Sequence, residues 1–136
     1  MNTVNVQNGL GGKKFIPGIA WFFLVLILIC LPGSDLPTVE DWFNKIYFDK
    51  WVHVGLFAVL AFLFMLPFIR SSLPVKDKWQ YLVRITIAAS LWGLTTEFIQ
   101  KYFVQGRNFD MFDWAADSLG AIIAFLFSRF RLSRLK

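Results

Sequence analysis

Residues 95–125 read "TTEFIQKYFVQGRNFDMFDWAADSLGAIIAF". The stretch begins and ends with runs typical of membrane-spanning helices, yet it contains an arginine and four carboxylates, Glu97, Arg107, Asp110, Asp113 and Asp117. An ionised side chain at the centre of a bilayer costs about 2.5–3.5 kcal/mol on insertion scales and more in some simulations. The stretch therefore predicts two membrane helices joined by a polar loop, with the charged groups near the membrane surface rather than at its centre.

The composition also indicates a membrane protein. Hydrophobic residues make up 57% of the 136-residue chain and charged residues 17%, whereas a soluble domain is about half apolar and about a quarter charged. The apolar residues form long runs rather than amphipathic stripes. We predict one membrane domain over residues 1–136 and leave the oligomeric state open. Cys30 is the only cysteine and cannot form an internal disulfide.

Four segments are long enough to span a bilayer, which takes about 20 mostly apolar residues. They cover about residues 15–31, 51–69, 82–103 and 112–130, and they predict an all-α, polytopic bundle of four transmembrane helices. Pro67 lies near the end of the second segment, where it should kink or end the helix. The first segment has a long apolar core without a small-x-small cleavage site after it, which favours an uncleaved helix over a signal peptide.

The basic residues predict the orientation. If the N-terminus lies in the cytoplasm, ten Lys and Arg residues lie inside and four outside, namely Lys45, Lys50, Lys101 and Arg107. Cytoplasmic loops carry the excess of Lys and Arg, so we predict that both termini are cytoplasmic. This topology explains the net charge of +5 and argues against a nucleic-acid partner. Apart from Asp77, the acidic residues fall at or near the outer face, namely Asp35, Glu40, Asp41, Asp49, Glu97, Asp110, Asp113 and Asp117.

Polar residues on separate helices share this outer level. Asp49 and His53 are four residues apart at the start of the second helix, a spacing that places them on one helical face. Glu97 and Gln100 lie on one face near the end of the third helix, and small residues follow the aspartates of the fourth, which permits close helix packing. We predict one polar cluster formed by Asp49, Lys50, His53, Glu97, Gln100, Arg107, Asp110, Asp113 and Asp117.

Three motifs then carry a resemblance to a known family. "DKWVH" (residues 49–53), "EFIQ" (97–100) and "GRNFDMFDWAADSLGA" (106–121) together resemble the VanZ-like family of small bacterial multi-span membrane proteins. The resemblance extends from residue 49 to the fourth helix, with the first span added by position, and it implies a multi-pass protein of the bacterial cytoplasmic membrane. Family members commonly have Asn where this chain has Asp117. That departure adds a potential negative charge, so we expect Asp117 to be protonated or to face Arg107, Lys50 or a cation.

The resemblance implies work at the outer leaflet of the cell envelope. The family takes its name from a protein associated with resistance to teicoplanin-type glycopeptides, drugs that bind cell-wall precursors outside the membrane. It does not imply that this chain confers resistance. The expected partners are membrane lipids and a cell-wall lipid precursor or glycopeptide.

Four interpretations of the polar cluster stay open at this stage. In the leading one, Arg107 and Lys50 hold an anionic lipid headgroup, since the guanidinium fork suits phosphate; the competing role for Arg107 is an ion pair with Asp110, Asp113 or Glu97. In the second, the chain is an enzyme on a phospho- or acyl-lipid, with His53 oriented by Asp49 and with Glu97 or Asp113 as acid and base. In the third, the cluster only stabilises the bundle. In the fourth, the chain is a transporter, for which four short helices without a discontinuous pair offer little support. No cofactor is predicted, although His53, Glu97, Asp113 and Asp117 offer ligands for a divalent cation.

Overall fold

The computed structural model describes residues 10–32 and 48–134, so the predictions for Asp35, Glu40, Asp41 and Lys45 lie outside the described residues. A one-turn 3-10 helix at Gly12–Phe15 leads into four α-helices, and these residues contain no strand. The helices are α1 (Ile16–Ile29), α2 (Phe48–Ile69), α3 (Val75–Phe103) and α4 (Met111–Arg134).

All four helices are long and apolar enough to cross a membrane, α1 together with the 3-10 turn before it. At a rise of about 1.5 Å per residue, α2 extends about 33 Å, close to the thickness of a hydrocarbon core. The predicted all-α fold with four spans is confirmed. The side of the membrane on which the termini lie stays a prediction.

The predicted boundaries differ most for α3, which begins at Val75 rather than at residue 82. Its first turns carry the polar run "KDKWQ" (residues 76–80). Hydropathy detects the part of a helix that crosses lipid, and the helix itself continues beyond it. Pro67 lies inside the last turn of α2, and the helix ends two residues later at Ile69.

One end of the bundle collects most of the acidic groups, and we call it the polar end. It comprises the start of α2, the end of α3, the loop at residues 104–110 and the start of α4. The end of α1 lies there too, because the side-chain amide of Gln100 on α3 donates to the Ile29 carbonyl at 3.3 Å. Each helix therefore runs antiparallel to the next along the chain.

The closest packing joins α2 and α4, and Gly120 makes it possible. A Cβ atom at Gly120 would overlap the Val54 carbonyl oxygen and lie 2.9 Å from the Ala58 nitrogen. Ala61, Ala121 and Ala124 are buried in the same core. Small residues let two backbones approach in lipid, where packing rather than hydrophobicity drives helix association.

Helix α1 packs against α2 and α3 through a second apolar cluster. Val25 of α1 is buried with Phe57 and Leu60 of α2. The Trp21 indole also donates a hydrogen bond to the Leu56 carbonyl at 3.0 Å. Many large apolar side chains remain exposed on the outside of the bundle, as expected for a surface that faces acyl chains.

Candidate functional site

The polar end contains a network of ionisable groups from α2, α3, α4 and the connecting loop. We call this network the polar cluster, and its members are Asp49, Lys50, His53, Glu97, Asp110, Asp113 and Asp117. The structure thus brings together seven of the nine predicted residues, while Gln100 and Arg107 make different contacts.

Lys50 links the start of α2 to the start of α4. Its ammonium lies 2.6 Å from an oxygen of Asp110, 2.6 Å from one of Asp113 and 2.9 Å from one of Asp49. Charge-assisted hydrogen bonds of this length are strong, and a lysine has three donors, which these carboxylates use. One positive charge therefore faces three carboxylates, and Lys50 has no donor left for a ligand.

Asp110 begins α4 as its N-cap. Its backbone carbonyl accepts hydrogen bonds from Asp113 and Trp114, and its side chain accepts one from the Phe112 N–H at 2.8 Å. Asp is among the preferred residues at this position because its carboxylate satisfies an N–H that has no partner within the helix. The hydrogen bond from the Lys50 ammonium holds the pKa of Asp110 below its usual value.

Glu97 is fully buried near the end of α3. One carboxylate oxygen, Oε2, accepts the backbone N–H of Asp110 at 2.9 Å, which ties the loop to α3. The other oxygen, Oε1, is buried and has no hydrogen-bond partner in the part of the chain that the structure describes. A buried polar atom without a partner is uncommon in a folded protein and calls for an explanation.

His53 and Asp117 form a close pair between α2 and α4. The His53 Nδ1 lies 2.8 Å from Asp117 Oδ1, and Nε2 lies 3.8 Å from Asp113 Oδ2. Asp117 is fully buried, and its second oxygen, Oδ2, has no hydrogen-bond partner among the described residues. That oxygen lies against Gly93 of α3, where an added Cβ would be 2.8 Å away.

The prediction that Asp49 orients His53 is wrong. Asp49 pairs with Lys50, and its side chain is 64% exposed. The contact of Gly120 with Val54 brings α4 against α2 one residue beyond His53. Asp117, almost one turn before Gly120, therefore reaches the imidazole. Asp117 faces His53 and pairs with neither Arg107 nor Lys50, two of the alternatives expected for it; protonation and a bound cation stay predictions.

Arg107 lies in the loop between α3 and α4 and forms no ion pair with a described carboxylate, so the predicted pairing with Asp110, Asp113 or Glu97 is absent. Its side chain is half-buried, and its Nε is fully buried without an acceptor. Gly106, with φ of 76°, precedes it at the turn of the loop. Spacing along the chain could not predict that Arg107, close to several carboxylates in the sequence, would pair with none of the described ones.

Gln100 has a structural contact, the hydrogen bond that joins α3 to the end of α1. The hydroxyl groups near the cluster also bond within the bundle. Thr96 donates to the Gly93 carbonyl, and Ser118 pairs with Ser90 across α3 and α4 at 2.7 Å. These contacts are typical of Ser and Thr in membrane helices and give no support to a hydroxyl nucleophile.

Three residues of the cluster could hold a metal ion. Among the described residues, one ligand atom each from His53, Glu97 and Asp117 lie within 4.8 Å of one another. Asp113, the fourth predicted ligand, instead has one oxygen on Lys50.

Sequence reasoning does not single out Trp92, whose indole nitrogen is buried without an acceptor, and no pattern around it would have indicated this.

Comparison with known proteins gives a family. A family model described as VanZ/LLP1 matches residues 15–132, which is most of the chain. No curated protein and no solved structure matches.

Proposed function

The chain belongs to the VanZ/LLP1 family, and from this membership we propose that it is a bacterial cell-envelope protein that holds an anionic lipid headgroup at the polar end. The predicted orientation places that end at the outer leaflet of the cytoplasmic membrane. The headgroup would belong to a phospholipid or to a polyprenyl-linked cell-wall precursor. Both carry phosphate, which is the group that the site would contact.

Arg107 carries the proposal. Its guanidinium has five donors in a planar fork and no carboxylate partner among the described residues. Its buried Nε lacks an acceptor, and a buried donor without a partner costs about 1–3 kcal/mol. A phosphate oxygen could accept from the part of this half-buried fork that remains accessible, and a movement of the side chain would bring Nε to a second oxygen.

Lys50, the other residue expected to hold the anion, has a different role in this proposal. Its contacts with Asp110 and Asp113 fix the start of α2 against the loop and α4. By neutralising part of the charge on Asp110 and Asp113, Lys50 also lowers the repulsion that an anion would meet near Arg107. Arg107 is therefore the anion-contacting residue, and Lys50 supports the site.

Native mass spectrometry of the protein purified in mild detergent tests the proposal. We expect the wild type to retain an anionic lipid and Arg107→Ala to lose most of it, with the ligand mass distinguishing a phospholipid from a polyprenyl precursor. Lys101→Ala is the matched control, because Lys101 is an exposed cation at the same end whose ammonium lies over the Tyr102 ring. Equal lipid retention by wild type and Arg107→Ala would refute the proposal.

Resistance to teicoplanin-type glycopeptides is a finer consequence of the same proposal. A protein that holds a cell-wall precursor would change its exposure to such a drug. Cells that express the wild type should then tolerate more teicoplanin than cells that express Arg107→Ala at equal protein levels. If cells with the wild type and cells with Arg107→Ala have the same inhibitory concentration of teicoplanin, the resistance role is refuted. The lipid-binding result would be unaffected.

The His53–Asp117 pair favours a second candidate function, a membrane-embedded enzyme acting on a phospho- or acyl-lipid. A carboxylate on Nδ1 fixes the orientation of an imidazole and stabilises its protonated form, so Nε2 can accept and return a proton. Asp113 Oδ2 lies 3.8 Å from that nitrogen and would act with it. Glu97 is less suited to this role, because one oxygen is held by the Asp110 N–H and both lie in the interior.

Turnover distinguishes the two functions. The wild type and His53→Gln would be incubated in nanodiscs with phospholipid or polyprenyl pyrophosphate, and lipid products would be followed by mass spectrometry. An enzyme gives product that His53→Gln abolishes, whereas a binding protein gives none with either chain. Product formation that is equal in both chains would exclude His53 as the acid–base residue.

A further inference from the structure

We propose that His53, Glu97 and Asp117 form a binding site for a divalent transition-metal cation of the Mn²⁺ or Zn²⁺ type. The site lies inside the bundle, with one ligand each from α2, α3 and α4. It does not depend on the lipid-binding proposal, since Arg107 contributes no ligand to it.

The geometry of the three side chains carries the inference. Their ligand atoms lie within 4.8 Å of one another. With metal–ligand distances of about 2.0–2.2 Å, two ligands on opposite sides of one ion are at most about 4.4 Å apart. In a tetrahedral site ligand atoms are about 3.4 Å apart, so side-chain rotations that move the tips by up to about 1 Å would place all three around one ion.

The two buried carboxylates provide an independent observation. Glu97 and Asp117 are each 0% exposed. Each has one oxygen without a hydrogen-bond partner within residues 10–32 and 48–134, Oε1 and Oδ2 respectively. A carboxylate buried with lone pairs unsatisfied is costly, and such charges are normally paired or coordinate metals. The same two residues belong to the trio whose ligand atoms converge.

The charge of the cluster favours a cation at this position. Five carboxylates meet one lysine and one histidine, and the lysine is shared by Asp49, Asp110 and Asp113. Among the described residues, His53 is therefore the only cationic side chain paired with Asp117, and none is paired with Glu97. A dication between them would balance two buried negative charges at once, in a region where water competes little for either partner.

The donor set selects the type of metal. Mg²⁺ and Ca²⁺ take oxygen ligands, and Mg²⁺ holds several waters, so a histidine between two carboxylates suits them poorly. Imidazole with carboxylates suits Zn²⁺ and Mn²⁺. Three protein ligands leave at least one coordination position open, as in catalytic rather than structural zinc sites. That position would accept water or an oxygen of a bound headgroup.

Metal binding to the purified protein tests the proposal directly. The full chain, freed of its affinity tag and of metal, would be dialysed against Mn²⁺ or Zn²⁺. Its metal content would then be measured by inductively coupled plasma mass spectrometry. We expect about one ion per wild-type chain, and we expect at least tenfold weaker binding by Glu97→Gln and Asp117→Asn, since weakening even the groups around a metal ligand costs about 10–100-fold in affinity. Asp77→Asn, the same change at the opposite end of the bundle, should bind as the wild type does.

A spectroscopic measurement on the wild type guards against variants that fail to fold. Electron spin-echo spectra of the Mn²⁺-loaded chain should show coupling to an imidazole nitrogen, and His53→Gln should remove it. Bound Mn²⁺ without nitrogen coupling would overturn the assignment of His53. Far less than one ion per wild-type chain for both metals, or equal affinity of the wild type and Glu97→Gln, would overturn the site itself.

Discussion

Gly120→Ala should separate α2 from α4 and destabilise the protein. The new methyl group would overlap the Val54 carbonyl oxygen and lie 2.9 Å from the Ala58 nitrogen. Both obstacles are backbone atoms of a helix, so they cannot rotate away as a side chain would. Overpacking in a well-packed core costs about 1–3 kcal/mol, while replacing a helical glycine with alanine gains up to about 1 kcal/mol in helix propensity.

Gly55→Ala is a matched control on α2. It is the same chemical change in a membrane helix, and an added Cβ would meet nothing within 4 Å. The gain in helix propensity is common to both variants. The difference between their free energies of unfolding therefore isolates the steric cost at Gly120, which we expect to be about 1–3 kcal/mol.

Reversible unfolding in mixed micelles of mild detergent and SDS measures this difference. We expect Gly55→Ala to be as stable as the wild type or more stable, and Gly120→Ala to unfold at a lower SDS fraction. Since Asp117 lies almost one turn before Gly120, the same change should also disturb the His53 pair. Equal stability of the two variants would refute the argument that Gly120 sets the distance between α2 and α4.

Three further predictions concern contacts of the polar end and of α1. Lys50→Gln should lower the free energy of unfolding by about 1–3 kcal/mol, between the values for exposed and for buried ion pairs, and Asp113→Asn in the same chain should restore much of it in a double-mutant cycle. Asp110→Asn should flatten the pH dependence of stability in acid, because Lys50 lowers the folded-state pKa of Asp110. The Asp110 carboxylate contributes stability above its unfolded-state pKa of about 3.9, and this contribution is lost as the pH falls through the lower folded-state pKa. Unfolding curves of the wild type and Asp110→Asn between neutral and acidic pH measure the difference. Trp21→Phe should cost about 1 kcal/mol through the lost hydrogen bond to the Leu56 carbonyl, measured by the same SDS titration; unchanged stability would mean that this contact contributes nothing to the docking of α1.

The four helices could be predicted because lipid imposes a simple rule on sequence. A spanning segment must be apolar over its full length, so the runs at residues 15–31 and 51–69 are visible without any tertiary information. The polar end was predictable for a related reason. Charged groups are expelled from the hydrocarbon, and those of residues 97–117 could only collect where two helices meet their loop.

The pairing of charges within the polar end could not be predicted from spacing. Asp49 and His53 share a face of α2, which suggested that they pair, but spacing describes only neighbours on one helix. The partner of His53 is decided by the rotation and distance of α4 relative to α2. Those depend on how closely Gly93 and Gly120 let other backbones and side chains approach, which is a property of the packed bundle.

A change at Asp117 tests whether the proposed lipid site at Arg107 and the proposed metal site at His53, Glu97 and Asp117 are independent. An amide at this position keeps the size of the side chain while removing its charge. Asp117→Asn should therefore weaken metal binding but leave intact the Arg107 loop, whose described residues form no hydrogen bond or ion pair with Asp117. If this variant keeps the lipid of the wild type and loses the metal, the headgroup and the cation occupy independent sites. If both are lost together, the open coordination position of the metal holds the headgroup, and the anion then binds to metal and arginine jointly.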